Sequence, residues 1–598
     1  MCFICLFIFI GLNNNINNSY SLNSGEGDNK NELIEENFFI IDSEKLENVN
    51  SHMYGYSVSK NGILTDNYYK QIGEYIEPEP QGVYIMIRKI DNEIIINQDF
   101  QGGYGLYLFE NKDNNYFALS NSFLLLEEHL IGKQNLTLNK DYADNLMLSE
   151  LCTYSLQETL INEIIQVPSN SFIVINMQQK SLKIKSINYE ENSIPLESKE
   201  GMKIIDEWIS KWGYIFRSLL KQTNSVSSDL SGGFDTRTLL TILLSSGVEM
   251  NSLLFNSYLN KEHGHDEDLI IAANISLKYG FKLNNFKLHY NITKWNSKNS
   301  LLCTLYSKLG FHKEFYMKNK FFNNPLFIIS ASGGENIRGS PGYPVYEYLK
   351  HLSTSNIKDN KEKLFNTSMH LLNRSVDFLK KEKSFNNDYE IANALNSKIL
   401  GRNHFGKSAL ESFMANIYSI QPLMDPDIRK IKFKINGNSS HDLIAYIYIK
   451  YAPDLIDFPI QGNRTINSES INRAKFLKGK FSSLQRKYDY NLNFFIDKER
   501  TSPVPYIDDK KNFNDVLIEF FKTYKYFEVV NEIYNINIYN FAKRYSNISN
   551  FYPLRHEYGL LAIIVSNDYI SLNKKCMKKS DKYNCFSTKD RILNYLIK

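Results

Sequence analysis

The chain has 598 residues, 69 of them basic and 66 acidic, for a formal net charge of +3. That length supplies several domains' worth of core, and the balance of charge excludes a whole-molecule field that would draw the protein to nucleic acid or to a membrane surface. The six cysteines, at 2, 5, 152, 303, 576 and 585, are too scattered for a disulfide framework or a four-ligand zinc site. This fits a reducing compartment such as the cytoplasm.

The apolar run Cys2 to Leu12 is too short to span a bilayer and has no Lys or Arg before it, so it predicts a buried strand rather than a signal or an anchor. The Asn/Ser/Gly-rich stretch from Asn13 to Asn31 reads as disordered. From about Asn37 to Ile187 strand signals dominate: Phe38–Ile41, Gly82–Ile87, Glu93–Ile96, Gly105–Phe109, Tyr116–Leu119 and Ser171–Ile175. Turn pairs such as Asp91-Asn92 and Asp113-Asn114 separate several of them. From Ser198 the hydrophobic period changes. An amphipathic helix over Met202–Leu220 is followed by a strand into a glycine loop, a helix ending near Gly247, a strand over Ser252–Asn256, a helix over Asp268–Tyr279 and a strand over Lys282–Leu288. Strands alternating with helices predict a parallel sheet with helices on both faces and ligands at the carboxyl ends of its strands.

The most informative segment is Val226-Ser227-Ser228-Asp229-Leu230-Ser231-Gly232-Gly233-Phe234-Asp235-Thr236-Arg237. A strand that empties into Ser-Gly-Gly-x-Asp-Thr and continues as a helix presents backbone N–H groups to phosphate oxygens. Gly232 and Gly233 let the main chain approach a ligand, and the hydroxyls of Ser231 and Thr236 add donors. A carboxylate at Asp235, aimed at polyphosphate, calls for a Mg²⁺ between the two. A second glycine segment, Ser330-Ala331-Ser332-Gly333-Gly334-Glu335-Asn336, follows the strand signal Pro325–Ile329. Further on come Gln421-Pro422-Leu423-Met424-Asp425 and the basic run Arg473 to Lys480; the last hundred residues, including Tyr558–Val565, read as helical. Gly401-Arg402-Asn403-His404-Phe405-Gly406-Lys407-Ser408 satisfies the phosphate-loop pattern in full. That pattern needs a buried strand before it, whereas Tyr389–Leu400 has helical spacing, so this segment predicts a helix–helix connection.

The Ser231–Thr236 loop resembles the pyrophosphate loop of the asparagine synthetase family, usually Ser-Gly-Gly-x-Asp-Ser. The second segment is similar to that family's Ser-Gly-x-Gly-Gly/Ser-Asp-Glu, and Gln421–Asp425 to its Arg-x-Pro-Phe-Leu-Asp turn. The resemblance implies an α/β protein in three parts: a leading segment at 1–31, an antiparallel β-sandwich of the class II glutaminase kind at 32–195, and a doubly wound ATP-pyrophosphatase domain with a helical C-terminal part at 196–598. It implies an ATP-binding set of Leu230, Ser231, Gly232, Gly233, Asp235, Thr236, Phe255, Ser330, Ala331 and Gly333. Mg²⁺ would sit on Asp235 and Glu335, and Lys475 would contact pyrophosphate. Asp268 followed by Ala272-Ala273 matches the family's acidic and small residues under the adenine site. The implied reaction adenylates a small carboxylate and transfers nitrogen from ammonia, glutamine or an amine, in a protein that could pair as a homodimer. Relatives that amidate a sugar uronate or close a lactam or macrolactam remain alternatives, as does a non-catalytic nucleotide-binding scaffold.

Departures from the family pattern bear on chemistry. Cys2 stands where the family has its glutaminase nucleophile, but Phe3 replaces the usual glycine, and neither Arg-Gly-Pro-Asp nor Asn-Gly-Glu occurs. The scaffold is matched better, by Gln98-Asp99-Phe100-Gln101-Gly102, Leu106-Tyr107 and Leu119-Ser120-Asn121. A thiolate needs a substrate clamp and oriented donors, which leaves the first domain as either an unusual glutaminase or a structural remnant. Ser332 replaces a glutamate assigned to proton transfer, Asn336 an acidic residue, and Gln421 an arginine.

Overall fold

The computed structural model describes residues 30–478, apart from interior stretches of which 339–360 is the longest, together with residue 566. The expected strand at Cys2–Leu12, Cys2 itself, nearly all of the Asn/Ser-rich stretch and Tyr558–Val565 lie outside the described residues. The architecture is mixed α/β, with antiparallel sheets first and a parallel sheet later.

Ten strands come first: β1 (Ile40–Asp42), β2 (His52–Ser59), β3 (Gly62–Leu64), β4 (Gly82–Ile90), β5 (Glu93–Gln98), β6 (Tyr107–Asn111), β7 (Tyr116–Ser120), β8 (Ile164–Gln166), β9 (Ser171–Asn176) and β10 (Ser181–Ser186). They form two antiparallel sheets, ordered β1-β7-β6-β8 and β10-β9-β5-β4-β2-β3. The Asp91-Asn92 pair closes the β4–β5 hairpin with Ile90 opposite Glu93, and Asp91 takes the left-handed φ of 50° that a two-residue turn requires. β6 begins two residues later than the apolar pattern predicts. The chain first wraps around the Asp99 carboxylate, which accepts the amides of Gln101 at 3.0 Å and Gly103 at 3.1 Å, with Gly102 and Gly105 left-handed at φ 65° and 86°.

Beyond β11 (Ile194–Pro195), the strands β12 (Val226–Asp229) and β13 (Leu254–Asn256) are followed by the antiparallel pair β14 (Ile292–Lys294) and β15 (Lys320–Phe322). Then come β16 (Leu326–Ile329), β17 (Ile417–Ile420) and β18 (Ile431–Lys432), the last paired parallel with β11. Strands β13-β12-β16-β17, in that order, make the parallel sheet. Of the expected strand at Lys282–Leu288 the structure describes only a parallel bridge from Leu283 to Phe255.

The helix Lys199–Leu220 starts three residues before the periodicity does, because the Ser198 hydroxyl caps it by accepting the Gly201 amide at 2.9 Å. Its buried stripe of Ile205, Trp208, Ile209, Trp212, Ile215, Phe216 and Leu219 follows the 3.6-residue period. The next helix, Phe234–Ser246, ends on Gly247 in the left-handed conformation, φ 69°.

One hydrophobic core runs from the antiparallel sheets into the parallel one. At the seam the Tyr56 hydroxyl, on β2, donates to the Ser419 carbonyl at 2.7 Å and accepts the Ser419 amide at 2.9 Å, so the antiparallel part is bonded to the edge of β17. Among the described residues no helix is long and apolar enough to cross a membrane.

Candidate functional site

Because β12 and β16 are adjacent and parallel, the loops that follow them emerge side by side at the carboxyl end of the sheet. The first loop is held from several directions. Its Gly232 amide donates to the buried Asp268 carboxylate at 2.7 Å, and a Cβ at Gly232 would lie 2.8 Å from both that oxygen and Ile271 Cδ1. The Ser231 amide donates to the Thr236 hydroxyl at 3.0 Å, and the Ser231 hydroxyl accepts the Gly233 amide at 3.1 Å. Arg237 is fully buried beneath and donates to the carbonyls of Gly232 at 3.2 Å, Phe458 at 3.0 Å and Pro459. Burial pushes its guanidinium down to about 10, so it remains charged at neutral pH and acts as a fixed clamp.

The helix that begins at Phe234 has Gly233 at its N-cap and no side chain capping it. The first amides of a helix have no partner within it, so those of Phe234, Asp235 and Thr236 stand at the loop mouth with the positive end of the helix dipole.

The second loop begins where the Ser330 amide donates to the Ile420 carbonyl at 2.8 Å. Gly333 is left-handed at φ 87°, where a Cβ would also strike Met424 Sδ at 2.1 Å. Asn336 donates to the Leu423 carbonyl at 2.9 Å and so ties this loop to the Gln421–Asp425 turn. Ser332 exchanges a hydrogen bond with the Ser330 hydroxyl at 2.8 Å.

The two loops meet at their carboxylates. A Cβ at Gly334 would fall within 1.9–2.2 Å of the Asp235 carboxyl atoms, so only glycine lets that carboxylate lie against the second loop. Arg338 then bridges the pair. Its Nε lies 3.1 Å from Asp235 Oδ1, its Nη2 3.3 Å from Asp235 Oδ2 and 3.4 Å from Glu335 Oε1. Burial opposes the charge on Arg338, but the two carboxylates outweigh it and hold the guanidinium above its ordinary range. All three side chains remain about one-third exposed or somewhat less, so the triad meets solvent rather than the core.

The other expected residues divide. Ser231, Gly232, Gly233, Asp235, Thr236, Ser330, Ala331, Gly333 and Glu335 belong to these two loops or to the first turns after them. Leu230 is buried behind the first loop, where its amide donates to the Asn256 carbonyl at 2.8 Å. Phe255 turns its ring into the core against Phe281, with centroids 4.3 Å apart, so its side chain cannot face a ligand. Lys475 is half-buried on the helix Ser468–Lys478, which packs on the helix Asp442–Tyr451. Sequence reasoning missed Arg338, whose signal was a basic residue one helical turn after Glu335. It also missed His441, which has no local signal. The His441 ring lies 4.8 Å from Phe234, and its Nδ1 is buried with no hydrogen-bond partner among the described residues. Burial, then Arg464 and Arg338, hold it below the ordinary imidazole range and therefore neutral.

The phosphate-loop match takes a different form from the expected connection. Gly401–Gly406 is a π-helical turn joining the helices Asp388–Leu400 and Lys407–Met414 without a break. Lys407 is fully buried and donates to the Tyr104 carbonyl at 2.5 Å, so it cannot cradle phosphate. Burial first, then Arg402, push its ammonium down to about 7. Between that value and the unfolded value of about 10.5 the unfolded chain binds a proton that the folded chain refuses. Stability should therefore rise with pH across this window and be lowest below about pH 7. Lys407→Met should flatten this slope in urea midpoints taken from pH 7 to 9 while leaving nucleotide affinity unchanged. A slope equal to that of the wild type would refute the burial argument.

A small pocket lined by Gln81, Gln101, Trp212, Ser419, Gln421 and Met424 opens at the seam and includes no residue of either glycine loop. Among the described residues no group of three or more His, Cys, Asp and Glu forms a metal cluster. Compared with protein-family models the chain matches none, and no curated protein matches it in sequence.

Proposed function

We propose that this protein is an asparagine synthetase-like, ATP-dependent amide ligase that activates a small carboxylate as an acyl-adenylate, releases pyrophosphate and joins the acyl group to nitrogen. The observation that supports it best is the convergence of Asp235 and Glu335, carried on loops after adjacent parallel strands, on one cation at an uncapped helix N-terminus. In this reading residues 32–195 form a divergent glutaminase-like sandwich, and 196–598 a doubly wound domain with a helical C-terminal part. Its setting is the cytoplasm, without nucleic acid or membrane partners.

Mg²⁺ fits the carboxylate pair, which offers hard oxygen donors already gathered around a positive charge. When bound there, it would neutralise charge on the departing pyrophosphate. The chain's own residues do the rest. Amides at the start of the helix Phe234–Ser246 would donate to phosphate oxygens, with the preceding loop fixed at Gly232 by Asp268 and Arg237. The Ser231 and Thr236 hydroxyls, 3.1 Å apart, hold the loop closed and can turn toward phosphate. Assay of pyrophosphate release with ATP, Mg²⁺ and a panel of carboxylates tests this reading; activity that needs no carboxylate, or none with any, counts against it.

The Ser332 hydroxyl, engaged with Ser330, offers no group of suitable pKa for proton transfer. The proton released by the attacking nitrogen, whether ammonia or an amine already on the substrate as in lactam or macrolactam closure, must therefore go to another group, and that closure is the second reading. Because the glutamine-clamping segments are missing, Cys2→Ala should leave ligase activity unchanged, and labelled glutamine should yield no glutamate above background. Cys2-dependent glutamate would instead establish an active glutaminase.

A further inference from the structure

The carboxylate pair at the site is already neutralised in part. Asp235 and Glu335 carry two negative charges and Arg338 one positive, so the triad has a net charge of −1 and little attraction for a free divalent ion. An incoming Mg²⁺ needs the very oxygens that Arg338 occupies at 3.1–3.4 Å. With the guanidinium still in place, metal and arginine would repel each other across a gap of a few ångströms. The pair is not a core strut: Asp235, Glu335 and Arg338 are 26%, 31% and 31% exposed. Arg338 ends the described part of its short helix, beside the uncapped N-terminus from which Asp235 projects. Guanidinium groups bind phosphate in the same forked manner as carboxylate. A polyphosphate at that N-terminus therefore offers Arg338 a better-charged partner within reach. Among the described residues, neither His441 nor Arg464 replaces it: His441 is kept neutral and Arg464 lies over the Phe234 ring at 6.0 Å.

We propose that Arg338 is a phosphate-binding residue held in reserve: without nucleotide it blocks the Asp235–Glu335 pair against metal, and it moves to the polyphosphate when metal and nucleotide arrive together. This rests on the nucleotide-site reading and adds to it an ordered coupling, in which metal and nucleotide strengthen each other's binding through one arginine.

The test uses the full chain, Mn²⁺ as the metal probe read by electron paramagnetic resonance, and α,β-methylene-ATP, which cannot be cleaved between the α- and β-phosphates. Wild type should bind Mn²⁺ weakly alone and about tenfold or more tightly with the analogue. Arg338→Ala should bind Mn²⁺ alone about tenfold more tightly than wild type, bind the analogue more weakly, and lose most of the coupling. Arg338→Lys, which keeps the charge without the fork, should still repel the metal but bind the analogue poorly, and so controls for folding. Unchanged Mn²⁺ and analogue affinities in Arg338→Ala would overturn the proposal alone. Absence of analogue binding by the wild type, with or without Mn²⁺, would remove the nucleotide reading and this proposal together.

Discussion

Asp235→Asn is expected to lower carboxylate-dependent pyrophosphate release by about a thousandfold, because metal-mediated charge stabilisation is worth several kcal/mol and each 1.36 kcal/mol is tenfold in rate. The fold should tolerate it. Asp235 sits on the first turn of its helix, one-quarter exposed, and Arg338 retains Glu335 when the other carboxylate is lost. The stability terms at stake are a carboxylate near a helix N-terminus and one partly solvated ion pair, together about 1–2 kcal/mol. Asparagine is isosteric and still lies against Gly334. Paired measurements of pyrophosphate release and urea midpoint separate the two effects. A variant that is folded and fully active would remove Asp235 from the chemistry.

Asp425→Ala is expected to have the largest structural effect, a loss of about 3–5 kcal/mol, as for breaking a buried charge pair by deleting one partner. The Asp425 carboxylate is fully buried and accepts from Trp212 Nε1 at 2.7 Å, Gln81 Nε2 at 2.9 Å and the Asp427 amide at 3.0 Å, with Lys211 Nζ at 2.5 Å. Burial works against the charge on Lys211, but Asp425 and Asp427 outweigh it and hold the ammonium above its ordinary range. Without Asp425 the Trp212 indole N–H would lose its acceptor, and Lys211 would keep only Asp427, at 2.8 Å. The effect should reach the site, because the same turn holds Asn336 through the Leu423 carbonyl and packs Met424 against Gly333. Asp425→Asn should cost less, since it can still accept from Trp212. A denaturation midpoint for Asp425→Ala within about 1 kcal/mol of wild type would show that this turn is not a joint.

The first glycine loop was legible in the sequence because its demands are local. A strand must enter, Gly232 must lack a Cβ, and a helix must leave, and each is written within Val226–Leu244. The β4–β5 hairpin was legible for the same reason, through Asp91-Asn92. What escaped depends on distant partners. β17 is four residues long and gains its identity from lying beside β16, and β2 from its place between β4 and β3. Asp425 and Gln421 resemble parts of the Arg-x-Pro-Phe-Leu-Asp turn, yet Asp425 is consumed by Trp212, Lys211 and Gln81, and Gln421 accepts from Gln101 at 3.2 Å. The phosphate-loop pattern at Gly401–Ser408 shows the converse. Its residues are right in type, but the helix before it and the burial of Lys407 give them another task. Arg338 was passed over because the family resemblance directs attention to carboxylates, and only the folded geometry brings one cation between them.

The most direct test of the nucleotide-site reading is the identity of the products of ATP cleavage. Wild-type protein and Asp235→Asn would be incubated with ATP labelled at the α-phosphate, Mg²⁺, ammonia or an amine, and a panel of carboxylates, and the nucleotides separated. The account predicts AMP and pyrophosphate, formed only with a suitable carboxylate and lost in Asp235→Asn. Formation of ADP and phosphate, or AMP production that survives in Asp235→Asn, would contradict it.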